Sequence, residues 1–464
     1  MGRDLLAHHT IDGLHMRISR FWLTGAVALV LAAGLIGVPS TASAAVPATV
    51  RAVPSNVMPV LASSGSDGTV EVVRQLVPCG GMMYAVGRFN SISQLGIRYT
   101  RFNVFSFNAT TGAVSASFVP TPNGYVNSIA LSANCGTAYL GGLFTTVGGV
   151  RASDVAAVSA STGALISTFT HSANGQIEAL LIHGNHLLVG GYFTAISGSA
   201  RSYLASLNPI TGQDDGYVHA NLSGHYVYTN AAGRPAAANP TRVFNFSRSP
   251  NFTKLLVMGD FTTAGNLGRR QIFMLDLGAS TTWVDTWYSS EFLTNCAVTE
   301  PFWLQDASWS PDDQTIYVVG TGFRPASGLG YSTTDPRAGL CDAAAAFPAT
   351  PGPVSHRWIN WTGCDSLYAT AADSTTAYIG GHERWASNGR GCDSAGPGAI
   401  AAPGMAGLSP TNGGVVFNPT RSRGYGADDM VVTFYGLWIA SDNYLDAQDC
   451  AGESGHEGIC FLPK

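Results

Sequence analysis

Charged side chains are scarce in this sequence. Asp, Glu, Lys and Arg make up 11% of the 464 residues, whereas apolar residues make up 45%. A disordered chain is richer in charge and poorer in apolar residues, so this composition predicts that most of the chain packs. The formal net charge is −5. This charge argues against nucleic acid as a partner, because phosphate-binding surfaces need clustered Lys and Arg.

Motifs of common catalytic and metal sites are also missing. There is no Gly-x-Ser-x-Gly, Walker A or His-Glu-x-x-His motif and no clean sialidase Asp-box. The absence of Cys-x-x-Cys argues against a zinc knuckle or a redox motif. We therefore expect no metal and no cofactor. These absences weaken the case for an enzyme without excluding it, because a site can be assembled from residues far apart in sequence.

The N-terminus is typical of an export signal. An apolar run at 21–38 follows Arg17 and Arg20, and Ala42-Ser43-Ala44 offers a cleavage site between small residues. A membrane anchor is the alternative, since the run approaches transmembrane length. The small residues directly after the run favour a cleaved signal peptide at residues 1–44 and a secreted protein. No second long apolar run follows, so we expect no membrane span after cleavage.

Eight cysteines follow the predicted signal peptide. An even number of cysteines in an exported chain favours disulfides over catalytic thiols. Pairs close in sequence, or at matching repeat positions, are the expected bridges. They are Cys79–Cys135, Cys296–Cys341, Cys364–Cys392 and Cys450–Cys460.

The rest of the chain carries seven copies of a repeat with a period of roughly 50–70 residues. Two clear copies read Tyr-Leu-Gly-Gly-Leu-Phe-Thr at 139–145 and Val-Gly-Gly-Tyr-Phe-Thr at 189–194. A strand of the Leu-Ala-x-Leu type and a Thr-Gly turn follow each of them. Aligned on the Phe or its counterpart, the repeats are anchored at Phe89, Phe144, Phe193, Phe261, Phe323, about His382 and about Ser441.

Each repeat contains four strand signals, of which 164–169 is one fourth-strand example. Four antiparallel strands repeated seven times predict an all-β fold, a seven-bladed β-propeller formed as a single domain by residues 45–464. The Gly pairs remove side chains where neighbouring sheets crowd, and the Phe packs between blades. Because open sheet edges invite aggregation, we expect the segment 48–54 to complete the last blade as its fourth strand. The stretches 214–239 and 324–353 fit the repeat poorly and are predicted to be surface loops.

The Gly-Gly-x-Phe-Thr-x-x-Gly-Gly pattern resembles that of the secreted, actinobacterial-type propellers built from delta-60 repeats, which are related to repeats in fungal cell-surface polarity markers. The resemblance covers the whole predicted mature chain and is most specific in the runs 361–368, 380–385 and 436–442. It implies a secreted seven-bladed propeller and no established reaction.

The sixth repeat departs most from this pattern. His382, Glu383, Arg384 and Trp385 replace the apolar-Phe-Thr step, and Asp365 stands where the innermost strand begins. In a four-stranded blade both places lie on one face, so we expect these side chains to meet at the mouth of the central channel. A carboxylate pair could act on a glycoside and the Trp could stack on a sugar. The competing interpretation is a buried network of Arg, His and carboxylates that stiffens one blade.

Further charges precede and enter the last repeat. Arg423 and Asp442 complete the candidate binding set formed by Asp365 and the 382–385 run. Arg421, Asp428 and Asp429 lie in the same connection, where a solvated turn is the preferred interpretation.

The preferred hypothesis is an extracellular binding or scaffold module, monomeric, that recognises a carbohydrate, a cell-wall polymer or another protein. The alternative is a secreted glycan-active hydrolase or lyase that uses Asp365, His382, Glu383 and Arg384.

Overall fold

Strands make up nearly all the regular secondary structure of the protein. The computed structural model describes residues 50–62, 70–170, 172–225, 227–229, 235–237, 240–293, 302–322, 339–419, 421, 423, 426–444 and 450–464. These residues belong to one compact unit, Val46–Lys464. The 3-10 turn Ser290–Leu293 is the sole helical element within them, and no described helix could span a membrane. The all-β prediction is confirmed; the predicted signal peptide lies outside the described residues.

The strands are short, and most are joined by tight turns. In the first half of the chain they are β1 (Val60–Leu61), β2 (Val72–Cys79), β3 (Met82–Arg88), β4 (Ser91–Gln94), β5 (Ile97–Thr100), β6 (Val104–Asn108), β7 (Tyr125–Leu131), β8 (Thr137–Leu143), β9 (Thr146–Val147), β10 (Val150–Arg151), β11 (Val155–Ser159), β12 (Ile177–His183), β13 (His186–Gly191), β14 (Leu204–Leu207), β15 (Leu222–Ser223), β16 (Val227–Thr229) and β17 (Pro235–Ala237). In the second half they are β18 (Arg242–Arg248), β19 (Lys254–Asp260), β20 (Thr263–Ala264), β21 (Leu267–Gly268), β22 (Ile272–Leu277), β23 (Thr282–Val284), β24 (Trp303–Trp309), β25 (Thr315–Thr321), β26 (Ala343–Pro348), β27 (Trp358–Trp361), β28 (Leu367–Ala372), β29 (Ala377–Gly381), β30 (Trp385–Ala386), β31 (Ile400–Ala401), β32 (Met405–Leu408), β33 (Val415–Phe417), β34 (Ala427–Thr433), β35 (Gly436–Ser441) and β36 (Ile459–Pro463).

Of the twelve antiparallel sheets that the described residues form, seven begin with a strand of six to eight residues. In order they are sheet 1 (β2, β3, β6), sheet 2 (β7, β8, β11), sheet 3 (β12, β13, β14), sheet 4 (β18, β19, β22, β23), sheet 5 (β24, β25, β26, β27), sheet 6 (β28, β29, β32, β33) and sheet 7 (β34, β35, β36). The remaining short strands form small ribbons. The first strand of each sheet lies against the first strand of the next, and β34 of sheet 7 lies against β2 of sheet 1.

The hydrophobic core lies between the sheets. Among the described residues, one buried apolar cluster fills each contact between consecutive sheets, and another fills the contact between sheets 7 and 1. The predicted anchors Phe89, Phe144, Phe193 and Phe261 are buried in four of these clusters. A Cβ on Gly141 would lie 2.6 Å from Cγ2 of Ile177 in the next sheet. Close packing between sheets therefore requires the first glycine of the pair, as predicted, whereas a Cβ on Gly142 would lie 2.0 Å from the Tyr125 carbonyl oxygen of its own sheet.

The prediction of four strands in every repeat is wrong for sheets 1, 2 and 3. In sheet 2 the predicted strand 164–169 is reduced to one bridge, between Val158 and Leu165. After this bridge the chain leaves the sheet edge in a turn, in which the Phe169 N–H donates to the Ile166 carbonyl at 3.2 Å. Sheets 1 and 3 have equivalent single bridges, Phe107 with Val114 and Leu207 with Asp214.

The two predicted surface loops also need correction. Ala343–Pro348, within the stretch 324–353, is β26, a strand in the middle of sheet 5, and its first five residues are buried. In the stretch 214–239, Tyr217 and Leu222 are buried in the cluster between sheets 3 and 4. The described parts of both stretches that hold these residues therefore belong to the core and not to surface loops.

The beginning of the described chain lies on the edge of sheet 7. The Arg51 N–H donates to the Pro463 carbonyl at 2.7 Å, and the Ser55 N–H donates to the Phe461 carbonyl at 2.9 Å. Val50 is buried in the cluster between sheets 6 and 7. The segment occupies the edge position predicted for it but makes too few ladder bonds to be a regular strand.

Three of the four predicted disulfides are present. Cys79–Cys135 joins the end of β2 in sheet 1 to the β7–β8 hairpin of sheet 2. The other two bridges are Cys364–Cys392 and Cys450–Cys460. Cys296 lies outside the described residues, so the pair Cys296–Cys341 stays a prediction.

Candidate functional site

Each of the seven first strands carries a β-bulge near its start. The pairing register of β2 shifts between Val73 and Gln75, for example, and leaves Arg74 as the extra residue. A bulge redirects a side chain away from the regular alternation of a strand. The bulged residues of sheets 1 to 7 are Arg74, Asn127, Glu178, Phe244, Gln305, Tyr368 and Asp428.

All seven bulged residues line a single cavity of about 610 Å³. We call this set of side chains the bulge ring. The cavity volume falls within the roughly 300–1,000 Å³ typical of sites for small ligands. Each sheet therefore contributes one side chain, from the same position of its first strand, to a shared cavity.

The bulge ring has two chemically different sides. On one side, the Gln305 amide of sheet 5 lies between Phe244 of sheet 4 and Tyr368 of sheet 6. Trp303 of sheet 5 also lines this side of the cavity. The opposite side carries charged and amide side chains from sheets 7, 1, 2 and 3. An aromatic wall that faces a polar wall can hold a ligand with both apolar faces and hydrogen-bonding edges.

Ion pairs position the charged side chains of the cavity. Nη1 of Arg74 lies 2.9 Å from Oδ1 of Asp428. Nη1 of Arg242 lies 3.0 Å from Oε2 of Glu178, and its Nε lies 2.6 Å from Oδ2 of Asp260. The first pair links sheet 7 to sheet 1 and the second links sheet 3 to sheet 4, whereas the pair of Arg242 with Asp260 lies within sheet 4.

In five of the seven sheets, the residue after the bulge makes a second set of contacts between sheets. Oε1 of Gln75 accepts from the Ile129 N–H at 2.7 Å, and Oδ2 of Asp429 accepts from the Leu76 N–H at 2.8 Å. The corresponding bonds from sheets 2, 4 and 5 are Leu180 N–H to Ser128 Oγ, Asn245 Nδ2 to Asp306 Oδ1 and Thr370 N–H to Asp306 Oδ2. Ala179 and Ala369 occupy this position in sheets 3 and 6, and alanine has no side chain that could make the bond.

Burial alters the acidity of the carboxyl groups in this region. It raises the pKa of Asp306 to about 7, against the opposing effect of the hydrogen bond from Thr370. Burial likewise raises the pKa of Asp428 to about 6 and that of Asp429 to about 6. The charge of the cavity wall therefore changes between mildly acidic and neutral pH.

The predicted site of the sixth repeat does come together in space. Arg384 binds Asp365 in a bidentate pair, Nε to Oδ2 at 2.8 Å and Nη2 to Oδ1 at 2.9 Å. Nη2 of Arg423 lies 3.4 Å from the same carboxylate, and its Nε donates to the His382 carbonyl at 2.9 Å. The guanidinium of Arg384 lies 4.7 Å from the ring centroid of Trp385. We call Asp365, Arg384 and Arg423 the mouth cluster.

Glu383 lies beside the mouth cluster but takes no part in it. The residue is fully buried, and neither carboxyl oxygen has a hydrogen-bond partner among the described residues. Burial raises the pKa of Glu383 to about 8, although the charges of Arg421 and Arg423 oppose this shift. The carboxyl group is therefore protonated at neutral pH.

The interpretation of Arg421, Asp428 and Asp429 as part of a solvated turn is wrong. Arg421 is only 2% exposed, and Nη1 and Nη2 have no hydrogen-bond partner within the described part of the chain. Asp428 and Asp429 lie in β34 at and after its bulge, where Asp428 faces the cavity. Asp442, from the predicted binding set, lines the same cavity. The other six predicted residues are not among its lining residues.

No group of three or more His, Cys, Asp or Glu side chains that could hold a metal ion is found in the described ranges. Sequence reasoning did not find the bulge ring. The signal it could have used is the common position of these residues in the first strand of each repeat, since they share no chemistry.

Comparisons with known proteins give no family for the chain. No family model matches it, and no curated protein matches its sequence. Solved structures do match, and one of them is the hydrazine synthase of Kuenenia stuttgartiensis, with a TM-score of 0.48 and 10% sequence identity. The match covers 87% of this chain and 99% of that one. Identity at this level carries no information about function, and the resemblance to delta-60 repeats stays a prediction.

Proposed function

We propose that the chain is an exported seven-bladed β-propeller whose ring is closed at the contact between sheets 7 and 1. Support comes from the apolar cluster between these two sheets, in which the ring centroids of Phe107 and Trp438 lie 5.8 Å apart. The hydrogen bonds of Arg51 and Ser55 to β36 cover the outer edge of sheet 7. The disulfides agree with an oxidising compartment outside the cell.

Deletion of residues 46–56 tests this closure. The deletion exposes the edge of β36 and removes the buried Val50, so we expect the melting temperature in differential scanning calorimetry to fall sharply. An unchanged melting temperature would contradict the proposed closure.

We propose further that the protein is a binding module for an extracellular carbohydrate, which it holds in the bulge ring. The observation that carries this proposal is the two-sided cavity, with aromatic rings on one wall and carboxylates, a guanidinium and an amide on the other. Sugar rings have apolar C–H faces that stack on aromatic side chains. Their hydroxyl groups donate to carboxylates and accept from guanidinium and amide groups. The size of the cavity favours sugars over a protein partner, because a folded protein surface cannot enter about 610 Å³.

A glycan array with the purified mature protein tests this function. We expect specific binding of one glycan class, confirmed by isothermal titration calorimetry, with no release of new reducing ends during incubation. Failure of all glycans to bind would contradict the carbohydrate proposal.

A glycan-active hydrolase or lyase is the second candidate, and Glu383 is the observation that favours it. A carboxyl group that stays protonated at neutral pH is what a general acid requires. Asp365 lies close enough for its charge to raise the pKa of Glu383 further. Against this candidate, Glu383 is fully buried and does not line the cavity. New reducing ends that disappear in Glu383→Gln would favour the enzyme over the binding module.

A further inference from the structure

A second cavity, of about 580 Å³, lies next to the first. It is formed by the start of sheet 1, the loops after β3 and β5, and the segment that leads into β7 of sheet 2. Arg88 lines both cavities. The two spaces therefore share a wall at this one side chain.

Residues that line the two cavities are also close together in the sequence. Glu71 lines the second cavity, whereas its neighbours Val70 and Val72 line the first. On β7, Tyr125 lines the second cavity and Asn127, two residues later, belongs to the bulge ring. A strand advances about 3.3 Å per residue, so Tyr125 and Asn127 lie within about 7 Å of each other along β7 and the two cavities adjoin there.

The second cavity has the chemistry of a sugar site. Tyr125 is 45% exposed and Phe102 is 41% exposed, although both are large aromatic residues. Nε and Nη2 of Arg88 donate to the Val70 carbonyl at 3.1 and 2.6 Å, which holds the guanidinium 5.5 Å from the Tyr125 ring centroid. Asn90 adds an exposed amide. Exposed rings beside fixed polar groups are a suitable surface for stacking and hydrogen bonding.

We propose that the second cavity is a second carbohydrate subsite, so that the preferred ligand is a chain of sugars rather than a monosaccharide. This inference rests on the proposed binding function. One sugar occupies the bulge ring, and the chain runs past Arg88 so that a following sugar contacts Tyr125 and Phe102. Recognition of a polymer by its length follows from this arrangement, since only a chain can fill both subsites.

Titration calorimetry with two series of probes tests the proposal. The probes are β-1,4-linked oligomers of glucose and of N-acetylglucosamine, each from one to six sugars long, titrated into the wild-type protein and into Tyr125→Ala. We expect affinity to rise roughly tenfold between the monosaccharide and the tetrasaccharide, the gain expected from an additional aromatic contact. Tyr125→Ala should lose this rise and keep the affinity of the wild-type protein for the monosaccharide.

Phe434→Ala is the matched control, because Phe434 is 68% exposed on the hairpin of sheet 7 and lines neither cavity. It should retain the dependence on length. If a series binds equally well at all lengths, or if Tyr125→Ala keeps the dependence, the second subsite is wrong while the binding function stands. If no member of either series binds the wild-type protein, this inference fails, whereas the carbohydrate proposal fails only if no glycan of the array binds.

Discussion

The mouth cluster and the bulge ring differ in how their polar groups are used. In the mouth cluster, Asp365 is 4% exposed and accepts three hydrogen bonds from Arg384, one from its backbone N–H, with Arg423 beside it. These side chains satisfy one another. In the bulge ring, Gln305 faces the cavity and makes no side-chain hydrogen bond within the described residues. Arg74, Asp428 and Glu178 of the ring are ion-paired, and Asn127 donates to the Ile177 carbonyl. The ring therefore leaves the Gln305 amide open to a ligand, whereas the cluster mainly holds sheet 6 together.

This difference shows that the run that departs most from the repeat need not be the functional site. The run His382 to Trp385 is conspicuous because it breaks the repeat, but Arg384 in it is taken up by an ion pair. The bulge ring is inconspicuous in sequence because the residue type at the bulge differs from sheet to sheet. Variation at one position of a constant backbone is how a repeat fold builds a site without a change of architecture.

The largest effect that would sharpen the comparison is expected from Asp365→Ala. The substitution leaves Arg384 and Arg423 without their shared carboxylate. Removal of one partner from a buried pair costs roughly 3–5 kcal/mol; because both guanidinium groups are partly exposed, we expect about 3 kcal/mol. Urea unfolding of the variant measures this loss, and glycan affinity should not change.

Asp393→Ala is the control for this substitution, since Asp393 also pairs with Arg384 but is 79% exposed. Its effect on the free energy of unfolding should stay within about 0.5 kcal/mol. A stable Asp365→Ala variant that has lost its ligand would instead make the mouth cluster the binding site.

Glu383→Gln tests the buried carboxyl group next to the mouth cluster through its pH dependence. The pKa of Glu383 in the folded state, about 8, lies above its ordinary value, so the folded state binds the proton more tightly than the unfolded state. This contribution to stability is complete below the ordinary pKa and is lost as the pH rises to about 8. Glutamine stays neutral, so the variant should gain on the wild type by about 2 kcal/mol between pH 6.5 and pH 9. Thermal unfolding across this range measures the gain, and a constant difference would mean that Glu383 is not held protonated.

Much of the fold could be predicted because its determinants are local. The Gly pairs and Phe anchors mark the second strand of a repeat and its contact with the neighbouring sheet, as Gly141 and Ile177 illustrate. The strand β26 was missed because Ala343 to Ala346 lack the β-branched and aromatic residues that indicate a strand. The fourth strands of sheets 1 to 3 were overpredicted because turns end them after a single bridge.

The candidate site could be predicted only in part. Strand topology was enough to bring Asp365 and Arg384 together, because the start of the first strand and the end of the second lie on one face of a four-stranded sheet. The bulge ring depends on backbone register, and a register shift leaves no signature in residue type. The solvated turn predicted at Asp428 is wrong for this reason, since the bulge is visible only in the pairing of β34 with β35.

The smallest expected effect comes from Gln305→Ala. If this effect were absent, the functional difference between the bulge ring and the mouth cluster would be lost. Gln305 is the amide between the two aromatic residues of the bulge ring, so its loss removes hydrogen bonds to the ligand and little else. We expect glycan affinity to fall about tenfold, which corresponds to about 1.4 kcal/mol, with a change in unfolding free energy within about 0.5 kcal/mol. Gln314→Ala, on the exposed outer hairpin of the same sheet, is the matched control and should bind as the wild type does. Equal affinity in both variants would show that the open side chains of the ring do not recognise the ligand, and the functional distinction between ring and cluster would be lost.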